Sequence, residues 1–326
     1  MIITRTPLRI SFAGGGTDLN AFYSRERGAV LSTAIDKYIY ITVNRKFDSK
    51  VRASYSITEM VDSPSDLKHE LIRESLKVVG VEGGIEITSI SDVPSRGTGL
   101  GSSSSYTVGL LNALYAFTGK LANAEKLAVE ACRIEIEICG KPIGKQDQYI
   151  AAYGGMQFIQ FNPDGTVFAD PVPCGRGLRE RLQKNLLMLY TGVTRSANDV
   201  LNEQSRNTEQ NGTAMEDLLK IRNLADQLRD CLCSGKLDGF GETLHAGWTL
   251  KKGLATGISN PEIDAWYDAA RCCGAIGGKL LGAGGGGFLL LYAHPARHAE
   301  ICHALPKLRP MPFRFEPQGS KIIFIE

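Results

Sequence analysis

The chain has 326 residues, of which 43% are hydrophobic and 22% charged, with a formal net charge of +2. That length predicts two domains, each large enough to hold a core. The near-balance of charge argues against a global affinity for nucleic acid or a membrane surface, and no apolar run is long enough to span a bilayer.

Residues 1–7 read as a strand, not a signal peptide. Eight cysteines occur without a Cys-x-x-Cys pair, and no histidines stand at zinc-like spacing; reduced thiols and a cytoplasmic setting follow as expectations. Residues 2–12 are strand-like and run into Ala13-Gly14-Gly15-Gly16-Thr17-Asp18. These glycines either turn the chain or bring its backbone close to something. Arg9 lies in the strand and Asp18 just past the glycines. One reading pairs the two to pin the turn; the other gives each a binding role. Residues 29–47 are strand-rich, 66–79 helical, and 84–90 alternate as another strand.

The densest motif follows: Pro94-Ser95-Arg96-Gly97-Thr98-Gly99-Leu100-Gly101-Ser102-Ser103-Ser104-Ser105. Behind it Tyr106, Gly109, Leu110, Ala113, Leu114 and Phe117 recur at helical spacing. The glycines and serines therefore sit at a helix N-terminus, where unpaired N–H groups and the helix dipole favour an anion. Glycines let the main chain approach phosphate oxygens, and serine hydroxyls cap the helix or reach a phosphate-bound Mg²⁺. The plain alternative is a Gly/Ser loop with an ordinary cap.

Residues 123–139 read as a second helix with Asn123 as N-cap and an apolar stripe of Leu127, Ala131, Ile134 and Ile138. Glu130, Glu135 and Glu137 lie off the stripe. Glu135 falls roughly 70° to one side of its centre and Glu137 roughly 90° to the other, so helical geometry does not choose between them. After Gly140-Lys141-Pro142-Ile143-Gly144-Lys145, Asp147 opens a short helix ending at Gly154-Gly155. Asp147 is either an N-cap or a carboxylate aimed at a cleft beside Lys145. Residues 156–172 form a hairpin turning at Asn162-Pro163-Asp164-Gly165.

An apolar strand at 185–190 begins the second domain, which divides the chain into 1–183 and 184–326. Arg195 sits in a small-residue loop. Residues 200–253 are mostly helical; Lys251 and Lys252, beside Trp248, read as a solvated face or as cations for an anion. Residues 261–272 are helical. Gly282-Ala283-Gly284-Gly285-Gly286-Gly287 contains a formal Gly-x-Gly-x-x-Gly, but a strand follows it where the dinucleotide motif needs a helix. It predicts backbone packed against another loop or a ligand. A helix at 298–305 and a strand at 322–325 close the chain.

Three glycine-rich segments in this order resemble the GHMP kinases: residues 7–18, 94–105 and 279–287. The resemblance covers nearly the whole chain. It implies an α+β, two-domain fold, with an N-terminal α/β domain carrying a left-handed βαβ unit and a ferredoxin-like C-terminal domain. ATP and a sugar would meet between them, with ATP and Mg²⁺ as the nucleotide and metal. The wording of residues 9–18 and 144–149 is similar to the bacterial D-glycero-D-manno-heptose 7-phosphate kinase branch, which phosphorylates the anomeric hydroxyl. Fucose kinases share part of it, and the Glu-His pair of galactokinases is absent from Gly14-Gly15-Gly16-Thr17-Asp18.

By that resemblance Asp147 is the catalytic base and Arg9 stabilises the transferring phosphoryl group. Pro94, Arg96, Gly97, Gly99, Leu100, Gly101, Ser102, Ser103 and Ser104 bind ATP, and Ser103 with Glu135 (Glu137 as second choice) holds the metal. Gly15, Gly16, Thr17, Asp18, Lys145, Arg195 and Lys251 face the sugar phosphate. Gly282, Ala283, Gly284, Gly285 and Gly286 form the third motif. The expected partner is a small-molecule sugar phosphate; a homo-oligomer is not indicated. No Gly-Lys-Ser/Thr triplet, His-Arg-Asp or Asp-Phe-Gly occurs, which excludes a P-loop NTPase and a protein kinase. A non-catalytic sugar sensor on this scaffold would be expected to lose the base or the loop, yet Arg9, Ser103 and Asp147 are all present.

Overall fold

A computed structural model describes residues 1–94, 97–193, 197–210 and 212–326. Arg96 and Arg195, both expected at the site, lie outside the described residues. The chain opens with β1 (Ile2–Ala13), a short α1 (Asn20–Tyr23) and the long β2 (Gly28–Arg45). β3 (Val51–Ser54) and β4 (Thr58–Val61) form a hairpin, and α2 (Glu70–Val79) leads to β5 (Ile85–Ser91). Next come α3 (Ser102–Phe117), α4 (Ala124–Cys132), a π-helical turn over Arg133–Ile138, and α5 (Gln146–Tyr153). The predicted hairpin is β6 (Met156–Phe161) and β7 (Val167–Pro171).

The second half runs α6 (Arg176–Asn185), β8 (Leu186–Tyr190), α7 (Ala197–Gln210), α8 (Gly212–Cys233) and α9 (Phe240–Lys252). It ends with α10 (Pro261–Cys272), β9 (Ala275–Leu280), β10 (Phe288–Ala293), α11 (His298–Ala304), β11 (Arg309–Pro310) and β12 (Lys321–Ile325). The β3–β4 hairpin and α6 were not expected from sequence, and the single helix read over 123–139 is α4 plus the π turn. Among the described residues no helix is long and apolar enough to cross a membrane.

β2 organises the first sheet. It pairs with β1 along most of its length, with β6 through its first half and with β5 through its second. Its first eight residues are buried without a break and the rest alternates. That is the pattern of a strand covered on both faces at one end and half-solvated at the other. The main strand order is β12-β1-β2-β5-β3-β4. α3 lies close on this sheet: the Thr4 hydroxyl donates to the Gly109 carbonyl at 2.9 Å, and a Cβ on Gly109 would lie 2.6 Å from Thr6 Oγ1.

β8, β9, β10 and β11 form a second, antiparallel sheet in the order β11-β8-β10-β9. With its helices this is a β-α-β-β-α-β unit, the ferredoxin-like arrangement. The halves share a core: Leu228 and Leu232 of α8 and Phe240 and Leu244 of α9 join the apolar cluster of Leu8, Ile10 and Phe12. Phe12 and Phe240 meet edge to face at 5.5 Å. The cleft between the sheets thus has walls tied together by buried apolar contact. β12, which the sequence division assigned to the second domain, returns to pair with β1 in the first sheet.

Candidate active site

One cleft of about 1060 Å³ collects all three glycine segments. That is at the upper end for a single small ligand, and it suits two substrates side by side. Motif one supplies its floor. Arg9 is buried; its Nε and Nη2 donate to the two Asp147 oxygens at 2.7 and 2.8 Å, and Nη1 donates to the Gly99 carbonyl at 2.5 Å. The Arg9–Asp18 pair considered from sequence does not form. Asp18 instead accepts from the Gly16 amide (2.9 Å), the Gln146 amide (3.3 Å) and Gln146 Nε2 (3.1 Å). Burial, with the Asp147 charge adding, raises the Asp18 carboxyl above the usual aspartate range. Asp18 and Asp147 thus tie motif one to the start of α5, and Asp147 caps no helix: the residue before α5 is Lys145, with no side-chain cap bond.

The second glycine loop faces this pair. Gly101 precedes α3 with φ of 76° and no capping side chain, so the first-turn N–H groups at Ser102, Ser103 and Ser104 point to the cleft uncapped. A Cβ on Gly101 would lie 3.1 Å from an Asp147 oxygen and 3.2 Å from Arg9 Cγ. The Asp147 carboxylate therefore abuts the start of the anion-ready helix end.

Ser103 Oγ donates to Glu135 Oε1 at 2.5 Å, and Gln148 Nε2 donates to Glu135 Oε2 at 2.8 Å. Glu135 is fully buried, and burial raises its carboxyl above the ordinary glutamate range. Glu135 points inward because it lies one turn beyond Ala131 on the buried face of α4, and the π turn carries the residues after it off that face. The Cys139 amide bonds the Ile134 carbonyl, a five-residue span that rotates the helix out of α phase. Ile138, counted in the apolar stripe, is accordingly 42% exposed. A buried carboxylate beside a serine, at an anion-ready helix end, is an oxygen donor set that suits Mg²⁺ bound with phosphates. Among the described residues no cluster of three His, Cys, Asp or Glu offers an all-protein metal site.

The third glycine segment packs backbone to backbone on the second. Gly99 has φ of 74°, and a Cβ there would meet the Leu281 carbonyl oxygen at 2.2 Å; one on Gly282 would meet Gly99 Cα at 2.4 Å. This bears out the expectation of loop-on-loop packing. Gly282 and Ala283 line the cleft, whereas Gly284 packs on Ile258 and Gly286 on Val193, and Gly285 donates its amide to the Ile258 carbonyl.

Gly15, Gly16, Asp18, Gly97, Gly99, Gly101 and Lys251 all line the cleft, as do Ser102, Ser103 and Ser104. Several other residues expected from sequence lie elsewhere. Lys145 does not line the cleft: it donates to the Gly165 carbonyl of the hairpin turn at 3.0 Å and sits over the Tyr23 ring. Thr17 is fully buried and its hydroxyl bonds the Gly14 and Ala29 carbonyls, so it pins the turn. Lys252 pairs with Asp264 at 3.0 Å. Leu100 has a buried side chain, and its carbonyl accepts the Arg9 amide. Pro94 is exposed and does not line the cleft.

Sequence reasoning missed Ser11, Gln146, Gln204 and Lys279, all lining the cleft. Ser11 Oγ, Gln146 Oε1 and Gln204 Nε2 are buried without a protein partner. Gln204 did carry a signal: with Val200 and Thr208 it occupies the buried stripe of α7, a polar residue at an apolar position. Its amide fills the space over Gly16.

Residues 67–155 match the family model for the GHMP kinases N terminal domain, and residues 228–309 match GHMP kinases C terminal. The chain is 29% identical over 343 residues to D-glycero-alpha-D-manno-heptose 7-phosphate kinase of Campylobacter jejuni, covering 98% of each chain. It is 26% identical over 318 residues to the bifunctional fucokinase/GDP-fucose pyrophosphorylase of Arabidopsis thaliana, covering 90% of this chain and 30% of that one. A solved structure of a D-glycero-D-manno-heptose 1-phosphate kinase from Bacteriodes thetaiotaomicron superposes with a TM-score of 0.83 at 25% identity, with 100% of both chains covered.

A two-domain α+β scaffold whose anion-ready helix end faces an arginine–aspartate pair is that of a phosphotransferase. The chain belongs to the GHMP kinases, whose phosphate donor is ATP. It is an ATP-dependent sugar kinase.

Proposed function

We propose that this chain transfers the γ-phosphate of ATP to the anomeric (C1) hydroxyl of D-glycero-D-manno-heptose 7-phosphate, giving the 1,7-bisphosphate. The observation that carries this reading is the contact of Asp147 and Arg9 with Gly101 at the start of α3. It brings a proton acceptor, a cation and a phosphate-binding helix end to one point. The choice of acceptor is supported by the similarity to the Campylobacter jejuni kinase over 98% of the chain.

In this reading the amides of residues 97–104 cradle the nucleotide phosphates. Ser103 and Glu135 would hold Mg²⁺, which would supply positive charge against the nucleotide phosphates. Asp147 orients the acceptor hydroxyl and takes its proton; phosphoryl transfer asks more for position and charge than for a strong base. Arg9 faces the charge that develops on the transferring group. Asp18, Ser11, Gln146 and Gln204 receive the sugar hydroxyls, and three of their atoms, Ser11 Oγ, Gln146 Oε1 and Gln204 Nε2, are buried without a protein partner. The aromatic arm of the cleft at Tyr55, His69 and Tyr106 is left for the nucleoside.

The test is a coupled ADP-release assay with Mg-ATP against heptose 7-phosphate, mannose 6-phosphate, fucose, galactose and mevalonate. The two heptose kinase names differ in the phosphate they specify, so the product is mapped by phosphorus NMR. Turnover on heptose 7-phosphate with a new C1 phosphate is expected. Turnover on fucose alone would favour a free-sugar kinase, the reading that the Arabidopsis match supports. Nucleotide binding without turnover would favour a sensor.

A further inference from the structure

Two cations of the cleft have no use in the chemistry just described. Lys251 closes α9 and Lys279 lies in β9, facing motif one from the second half of the chain. Their exposures are 7% and 6%. Lys251 Nζ bonds the Gly282 carbonyl, and Lys279 Nζ donates to the Phe12 carbonyl at 3.3 Å. Among the described residues neither forms an ion pair. Asp147 is held by Arg9, and Asp18 accepts only from neutral groups, two amides and a glutamine, so Arg9, Lys251 and Lys279 are three cations facing two carboxylates.

Burying an ammonium without a full counter-charge is costly, and burying two in one cleft with a carboxylate too few is more so. Burial lowers the pKa of both, and for Lys279 the charge of Lys251 is the next largest cause. Such a pair is retained without loss when a dianion joins it, because each ammonium has further N–H donors for phosphate oxygens.

We propose that Lys279, with Lys251 beside it, seats the phosphate that the acceptor sugar already carries. The nucleotide phosphates have their own partners in the α3 N-terminus, Ser103 and Arg9. Lys279 is anchored on Phe12, next to the cleft-lining Ser11 on β1 and two residues before the Gly14–Gly16 turn, and Asp18 is the carboxylate that acts on it. The acceptor's phosphate would stand at that end while its reacting hydroxyl stands at Asp147. This inference rests on the acceptor reading above and adds that the enzyme demands a phosphorylated sugar.

The test compares wild type, Lys279→Met and Lys279→Arg with heptose 7-phosphate and with unphosphorylated heptose, at saturating Mg-ATP. Lys279→Met is expected to lower kcat/KM for the 7-phosphate by about 10- to 100-fold, the worth of a charge-assisted hydrogen bond. The preference for the phosphorylated acceptor should fall by a similar factor, Lys279→Arg should recover part of it, and the KM for ATP should move far less. An equal loss on both acceptors, or a KM for ATP that rises in step, overturns the proposal. Should Lys279→Met fail to fold, as read by circular dichroism, Lys251→Met takes its place in the same comparison. Should wild type turn over neither acceptor, the substrate reading falls and the seat is judged alone, by calorimetric titration of inorganic phosphate in the presence of Mg-AMP-PNP. Binding that the lysine variant loses upholds the seat; no wild-type binding, or equal binding by both, overturns it.

Discussion

Replacing Asp147 by Asn tests the centre of the site. The substitution keeps the volume and one acceptor oxygen but removes the charge. In the structure both carboxylate oxygens bond Arg9, at 2.7 and 2.8 Å, and the side chains are 5% (Arg9) and 22% (Asp147) exposed. Breaking a fully buried pair costs about 3–5 kcal/mol, whereas Asn retains one of the two bonds and Asp147 is partly solvated. A loss of about 1–3 kcal/mol is therefore expected, lowering the melting midpoint by several degrees. The effect on turnover is larger, because removal of a general base costs about 10²–10⁴ in rate. The assay is steady-state ADP release together with calorimetric binding of AMP-PNP. The expected result is kcat down by that factor with nucleotide affinity little changed. A variant that melts a few degrees early yet turns over near the wild-type rate would refute the base assignment. Arg9→Met and the double variant separate two explanations: if Asp147 acts only by holding Arg9, the double loss equals the single one.

Glu135→Gln should raise the Mg²⁺ concentration for half-maximal activity by at least about tenfold, since even outer-shell partners are worth that much. It should not lower the melting midpoint, because it removes a fully buried charge. In the wild type the raised Glu135 carboxyl should make the Mg²⁺ requirement grow as pH falls, beginning above the ordinary glutamate range. The folding contribution has the opposite sign: the neutral form is the one burial tolerates, so it favours folding at low pH and is lost as pH rises through the raised pKa. Lys251, lowered to about 8 by burial and by Arg9, with Lys279 adjoining and Asp18 and Asp147 opposing, gives a second pH signature. Between about 8 and the ordinary lysine pKa of about 10.4 the unfolded chain holds more protons, so this group makes stability rise with pH there. The KM for a phosphorylated acceptor should worsen over the same span. Denaturation of wild type and Lys251→Met at a series of pH values checks the first point, and kinetics the second. Gly99→Ala should cost at least about 2 kcal/mol, from a positive φ and a backbone collision with Leu281. An unchanged denaturation midpoint would contradict the loop-on-loop contact.

Much of this was legible locally. The alternation of glycines at 97, 99 and 101 ahead of serines and a helical repeat marked an anion-ready helix end, and α3 begins at Ser102 behind a left-handed Gly101. The Asn-Pro-Asp-Gly turn, the Asn123 cap and the Pro261–Cys272 helix stand where short-range patterns put them. These features depend on residues a few positions apart. The β3–β4 hairpin escaped because four-residue strands leave too short a period to read.

The pairings that make the site were a different matter. Arg9 had Asp18 as its one partner considered from sequence, and the approach of α5 to β1 gives it Asp147 instead. Glu135 and Glu137 flanked the stripe read from sequence because Ile138 was counted in it; packing puts Ala128, Ala131 and Glu135 on one buried face and the π turn turns Ile138 out. Lys145 and Lys252 looked as basic as Lys251, but the first two reach acceptors outside the cleft, while Lys251 is carried inside by α9. Lys279 and Gln204 became site residues only when the second half of the chain folded across motif one. Residue type and spacing, by themselves, determined which backbone segments can bind an anion and that three of them occur in order. Which side chains meet over that anion is set by contacts between different elements, from 32 positions apart for Ser103 and Glu135 to 138 for Arg9 and Asp147, and those are decided by tertiary packing around a shared core.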